Sequence, residues 1–141
     1  MRRILFALPF VLAGFAPASA DVLIEGSAGG EATSFIRFFE AVRKSGERVV
    51  IDGPCFSACT LALSLLPHNR ICVTRRAILG FHAARMVDLL GNQYPAPEAT
   101  RVVAETYPAP IRQWIRRHGG LTRRPLFLYG PELARMVSRC G

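Results

Sequence analysis

Seven residues limit this chain more than any others: Gly53-Pro54-Cys55-Phe56-Ser57-Ala58-Cys59. They are entered from a β-type run, Arg48-Val49-Val50-Ile51-Asp52, and left through the apolar run Thr60-Leu61-Ala62-Leu63-Ser64-Leu65-Leu66. A strand, a Gly-Pro turn and a helix is the predicted order, with Ser57 near the helix N-terminus. Such a turn lifts a hydroxyl off the end of a sheet, and the free N–H groups of a first helical turn can receive a developing oxyanion. The plainer reading of the same residue is an N-cap, a position that serine favours. Cys55 and Cys59 flank Ser57, and a disulfide between them would pin the turn.

The segments on either side repeat one grammar. Val22-Leu23-Ile24-Glu25-Gly26 reads as a short strand, and Ser27-Ala28-Gly29-Gly30 as a turn in which glycine admits unusual φ/ψ. Residues 31–45 carry Phe35, Phe38, Phe39 and Val42 at helical spacing, stopped by Gly46. Ile71-Cys72-Val73 and Ala77-Ile78-Leu79-Gly80-Phe81 are further β segments, the second delivering His82 at its end. Strand and helix alternate through short connections, which predicts parallel βαβ units. In such sheets ligands bind beyond the carboxyl ends of the strands, where Gly29-Gly30, Ser57 and His82 all fall.

Beyond His82 the pattern loosens. Residues 88–97 hold Gly91-Asn92 and two prolines and read as loop. Residues 98–118 are helical in composition, but Pro108 and Pro110 should divide them. Trp114, in a stripe with Ile111 and Ile115, reads as core. Pro131–Val137 is a last short helix with proline in its first turn. His68 and His118 read as solvated.

At the other end, Met1-Arg2-Arg3, the apolar run from Ile4 to Ala16 and Ala18-Ser19-Ala20 have the form of a secretory signal. Residues 1–20 are therefore expected to leave, with residues 21–141 as one domain in the periplasm or secreted. Removal of Arg2 and Arg3 would lower the net charge from +8 to +6. Arg112, Arg116, Arg117, Arg123 and Arg124 form the densest basic group, read as a solvated face; no aromatic residues interleave it, which argues against nucleic acid. Cys55, Cys59, Cys72 and Cys140 are an even count in an exported chain, pointing to two disulfides, with three pairings open. Cys55-x3-Cys59 is a poor zinc pattern, so no metal is expected.

With its pieces in this order the chain resembles the Clp protease proteolytic subunit family, within the wider Clp/crotonase fold. Ser27-Ala28-Gly29-Gly30 is similar to the family's Ser-Pro-Gly-Gly turn without its proline. Gly53-Pro54-Cys55-Phe56-Ser57-Ala58 is similar to its Gly-x-Ala-x-Ser-Met nucleophile turn, and Gly80-Phe81-His82 to the strand end presenting its histidine. The Cys-x-Ser-Ala-Cys turn looks like an exported side branch rather than Clp peptidase itself. The resemblance implies an α/β fold of Clp/crotonase-like parallel βαβ units with additional C-terminal helices. It also implies Ser57 as nucleophile, His82 as general base, and the N–H groups of Gly29 and Ala58 as oxyanion hole, with Gly30 as the alternative to Gly29.

The family's third member is missing from its place. Counting back from Pro131-Glu132-Leu133 puts Pro125 where the aspartate would fall, between Arg123-Arg124 and Leu126. Glu132, Asp88, Glu98 or Glu105 is then left to orient the imidazole, or nothing is. Two functions follow from these residues. One is an exported serine hydrolase, an ATP-independent peptidase with a Ser-His dyad or incomplete triad. It would need no cofactor, act on peptide or unfolded polypeptide, and have no ATPase partner outside the cytosol. The other is a non-catalytic envelope protein using the fold for assembly or peptide binding. Homo-oligomerisation is implied by the resemblance alone.

Overall fold

The computed structural model describes residues 20–141. The signal expected at residues 1–20 thus lies, but for Ala20, outside the described residues. The chain is a small mixed α/β fold.

Its first half follows the expected alternation. Strand β1 (Val22–Ile24) leads to helix α1 (Ala32–Ser45), which returns the chain to β2 (Val49–Ile51) beside and parallel to β1. Helix α1 begins where the Glu31 carboxylate accepts from the N–H groups of Thr33 and Ser34, and it ends at Gly46 with φ 83°. Of the four apolar positions read from the spacing, Phe39 and Val42 are buried and Phe35 half-buried, whereas Phe38 is exposed. Strand β4 (Ile71–Val73) adds to β2 in parallel, giving the order β1-β2-β4.

The second sheet departs from the sequence reading. Pro54–Phe56 is a strand, β3, rather than a turn, and it pairs in parallel with β5 (Ile78–Phe81). Proline is tolerated at the first position of a strand, where no ladder N–H is needed. Strand β8 (Leu126–Tyr129) lies antiparallel to β5 on its other side, so the architecture is mixed rather than purely parallel. The two sheets share one length of chain, β2 running into β3 through Asp52 and Gly53. A side-chain carbon on Gly53 would lie 2.0 Å from the Glu25 carbonyl oxygen, so only glycine fits this junction. Residues 88–97, expected as loop, contain a strand, β7 (Gln93–Pro95), which forms a hairpin with β6 (Arg85–Val87) just before them.

Ser57–Leu61 is a 3-10 helix running into α2 (Ala62–Leu65). Later come α3 (Pro97–Thr106) and α4 (Ala109–Arg117), parted at Tyr107-Pro108, and a short α5 (Gly130–Ala134). A contiguous apolar cluster joins Phe39, Ile51, Leu79, Phe81, Ile111 and Leu128. Trp114 belongs to it, 6.0 Å from the Phe81 ring, while His68 and His118 are exposed. Arg116, Arg117, Arg123 and Arg124 are likewise exposed.

All four cysteines pair, Cys55 with Cys59 and Cys72 with Cys140. The second pair clips the C-terminal end to β4, where Val73 N–H donates to Ser138 O at 2.9 Å and Cys140 N–H to Val73 O at 3.1 Å.

Candidate active site

Three separate connections meet at a cleft of about 720 Å³. Its lining includes Gly29 and Gly30 from the β1–α1 turn, Ser57 and Ala58 from the 3-10 helix, and His82 from the end of β5. Leu61, Val103 and Tyr107 supply apolar wall, and Arg85 and Val87 of the hairpin close one side.

Ser57 is not an N-cap. Phe56 occupies that position without a side-chain cap bond, and Ser57 is the first helical residue, with φ 54°. Among the described residues it is the one non-glycine with positive φ. That backbone costs an L-residue about 1–2 kcal/mol and persists only where its surroundings impose it. Here a disulfide brackets the residue, with the Cα atoms of Cys55 and Cys59 5.3 Å apart. Gly29, at φ 86°, presses against it from the other side.

Ala58 follows Ser57 in the first turn, so its N–H precedes any intrahelical acceptor. Gly29 N–H already donates to Ser27 Oγ at 3.2 Å. Gly30 N–H has no partner among the described residues. Of the two glycine donors considered from the sequence, Gly30 is therefore the unengaged one.

The His82 ring is half-buried, and its Nδ1 lies 2.7 Å from the carbonyl oxygen of Ala83. A carbonyl can only accept, so this contact puts the proton on Nδ1 and leaves Nε2 of the neutral ring as a proton acceptor. No hydrogen bond joins Ser57 Oγ and His82 among the described residues, and no carboxylate bonds the ring. None of the four carboxylates considered for that role bonds the ring or lines the cleft among the described residues. Asp88 ties the hairpin, accepting from the N–H groups of Leu90 and Asn92, and Glu98 and Glu105 bracket Arg101. Glu132 sits in the first turn of α5.

Two features of the cleft had no signal in the sequence. Glu31 is the carboxylate that lines it, but hydrogen bonds from Thr33 and Ser34 engage its oxygens and hold it at about 2. Tyr107 places its hydroxyl 2.6 Å from that of Thr60, a fully buried residue whose Oγ1 donates to the carbonyl oxygen of Ser57 at 2.6 Å. The partners are 47 positions apart, beyond the reach of any local pattern. Burial pushes the Tyr107 phenol up to about 12. No group of three or more His, Cys, Asp or Glu side chains among the described residues is placed to hold a metal ion.

No family model and no curated protein matches this chain. Among solved structures it is similar to ClpP1 N165D mutant from Listeria monocytogenes. The identity is 12%, covering 84% of this chain and 89% of that one, with a TM-score of 0.39.

Proposed function

We propose that this protein is an exported serine hydrolase of Clp/crotonase-like fold that cleaves an acyl bond, a peptide in the first instance, without ATP. The observation that carries the reading is the forced backbone of Ser57, at φ 54°, on a cleft shared with His82 and the Gly29-Gly30 turn. A strained serine between strand and helix is how a hydroxyl is presented to substrate.

In this mechanism Ser57 Oγ attacks the substrate carbonyl carbon while His82 Nε2 takes its proton. Nδ1 keeps its own proton, donated to the Ala83 carbonyl. The tetrahedral oxyanion is received by Ala58 N–H together with Gly30 N–H, which replaces the engaged Gly29 N–H. Each such donor is typically worth about 2.7–4 kcal/mol in the transition state. Collapse expels the amine, which takes the proton from Nε2, and water releases the acyl group from Ser57 by the same route. The lack of a Ser57–His82 hydrogen bond among the described residues does not oppose this role, since catalytic hydrogen bonds are often long in the free enzyme and tighten once substrate binds. A backbone carbonyl orients the ring but does not balance an imidazolium as a carboxylate would. Replacing that carboxylate costs about 10⁴ in rate where a triad depends on it, so a slow enzyme is expected.

Export is supported by the leader-like residues 1–20 and by two disulfides, which persist in oxidising compartments such as the periplasm or the cell exterior. Peptide or unfolded polypeptide as substrate, and assembly with copies of itself, complete the reading as expectations of the resemblance. A second reading, a non-catalytic envelope assembly or peptide-binding protein, is favoured by one observation: no carboxylate reaches His82 among the described residues.

Fluorophosphonate labelling of folded, oxidised protein separates the two. The hydrolase should be labelled, with label abolished in Ser57→Ala and reduced in His82→Ala. Unlabelled wild type would leave the binding protein as the better account.

A further inference from the structure

We infer that Thr60 and Tyr107 form a buried hydroxyl relay that positions the oxyanion donor, an assignment that rests on Ser57 being the nucleophile. The direction of the relay follows from proton counting. Thr60 has one hydroxyl proton, and the Ser57 carbonyl 2.6 Å away can only accept it. Thr60 Oγ1 must then accept from Tyr107, whose hydroxyl is 2.6 Å away. The chain of bonds runs from Tyr107 O–H to Thr60 Oγ1–H to Ser57 C=O.

That carbonyl belongs to the same peptide plane as Ala58 N–H. The plane is trans, so the carbonyl and the N–H point in opposite directions. Holding the carbonyl toward the interior therefore aims Ala58 N–H away from Thr60. Ala58 lines the cleft together with Gly29, where a side-chain carbon would be 3.2 Å from Ala58 N. The relay also polarises the peptide unit, because bonds in series strengthen one another in a low-dielectric interior. A carbonyl drawn on by a hydroxyl makes its own peptide N–H a stronger donor.

The placement of these two groups accords with such a role. Thr60 is the buried polar side chain of the described core, and Tyr107 is nearly as buried while still lining the cleft. Both are positioning residues, acting through Ala58 N–H.

The test measures fluorophosphonate inactivation of the oxidised protein, resolved into kinact and KI, together with the amide 1H and 15N resonances of Ala58. Direct loss of an oxyanion donor costs about 10²–10³. Loss of its support should cost less, so Thr60→Val is expected to lower kinact about 10-fold with KI unchanged. The Ala58 proton should move upfield, and Thr60→Ser should restore both. Tyr107→Phe should lower kinact about 3-fold alone and not at all in the Thr60→Val background, the non-additivity that a series relay demands. If Thr60→Val fails to fold, Tyr107→Phe alone decides, through the same kinact and amide readouts. A wild-type kinact in the variants, or an Ala58 amide indifferent to the hydroxyls, overturns the relay. Wild type that takes no label overturns the hydrolase instead, and the amide resonances alone then decide whether the relay holds.

Discussion

Gly29 and Ser57 touch across the cleft so closely that a side-chain carbon on the glycine would sit 2.5 Å from Ser57 Cβ and 2.6 Å from the Phe56 carbonyl oxygen. Neither atom can yield, one being the root of the candidate nucleophile and the other backbone. Gly29→Ala adds a second fault, since its φ of 86° suits glycine. The substitution should cost about 1–3 kcal/mol of stability in urea titration. It should also lower fluorophosphonate labelling at least 10-fold by displacing Ser57. Gly91→Ala, also at positive φ but with open space around it, should leave labelling unchanged.

Strain at Ser57 predicts an unusual order of stabilities. Both Ser57→Ala and Ser57→Gly remove the hydroxyl, but alanine keeps the disfavoured backbone and glycine relieves it. Ser57→Gly should therefore be the more stable by about 1 kcal/mol in denaturant unfolding. Equal midpoints would mean that φ is relaxed in solution.

The two disulfides should differ in what they contribute. They close loops with separations of 4 and 68 residues, and cross-linking removes more unfolded-chain entropy from the longer loop. The chain-entropy relation gives about 2 kcal/mol for Cys55–Cys59 and about 4 kcal/mol for Cys72–Cys140. Thermal unfolding of Cys72→Ala/Cys140→Ala should show the larger fall in Tm. Labelling should instead be the property most affected in Cys55→Ala/Cys59→Ala.

Acid should weaken the fold through two identified carboxylates. Hydrogen bonds from Arg76 and Thr74 hold Asp52 at about 2 against an ordinary 3.8, and those from Thr33 and Ser34 hold Glu31 at about 2 against 4.5. Both folded values lie below the unfolded ones. Their contributions are thus complete above pH 4.5 and are lost as pH falls toward 2. The urea midpoint should drop across that interval. Asp52→Asn should lower stability at neutral pH and reduce the slope below pH 4.

Much of the first half was legible because its signals are local. The spacing of Phe35, Phe39 and Val42, and the glycine after Ser45, mark α1 without reference to anything distant. His82 follows an apolar run that is strand in the structure. Strand β3 was hidden because Gly53-Pro54 is a turn signal, whereas here the glycine serves a crossing of backbones and the proline opens the strand. Strands β6 and β7 were hidden because Gly91-Asn92 and the prolines Pro95 and Pro97 are loop signals, although the hairpin they join is built around that turn. Ser57 misled as a cap because propensity averages over ordinary serines, and this one is held away from the average. The Tyr107–Thr60 contact had no local trace, being made by tertiary packing alone.

The crossing at Gly53 makes the two sheets one mechanical object. Val49–Ile51 and Pro54–Phe56 are consecutive lengths of a single thread, so opening either sheet pulls on the other, and amide protons in both should exchange with solvent at a common rate. Ser57 is the next residue along that thread. Its position is thus set by the end of β3, and a shift of that strand would be felt directly at the cleft.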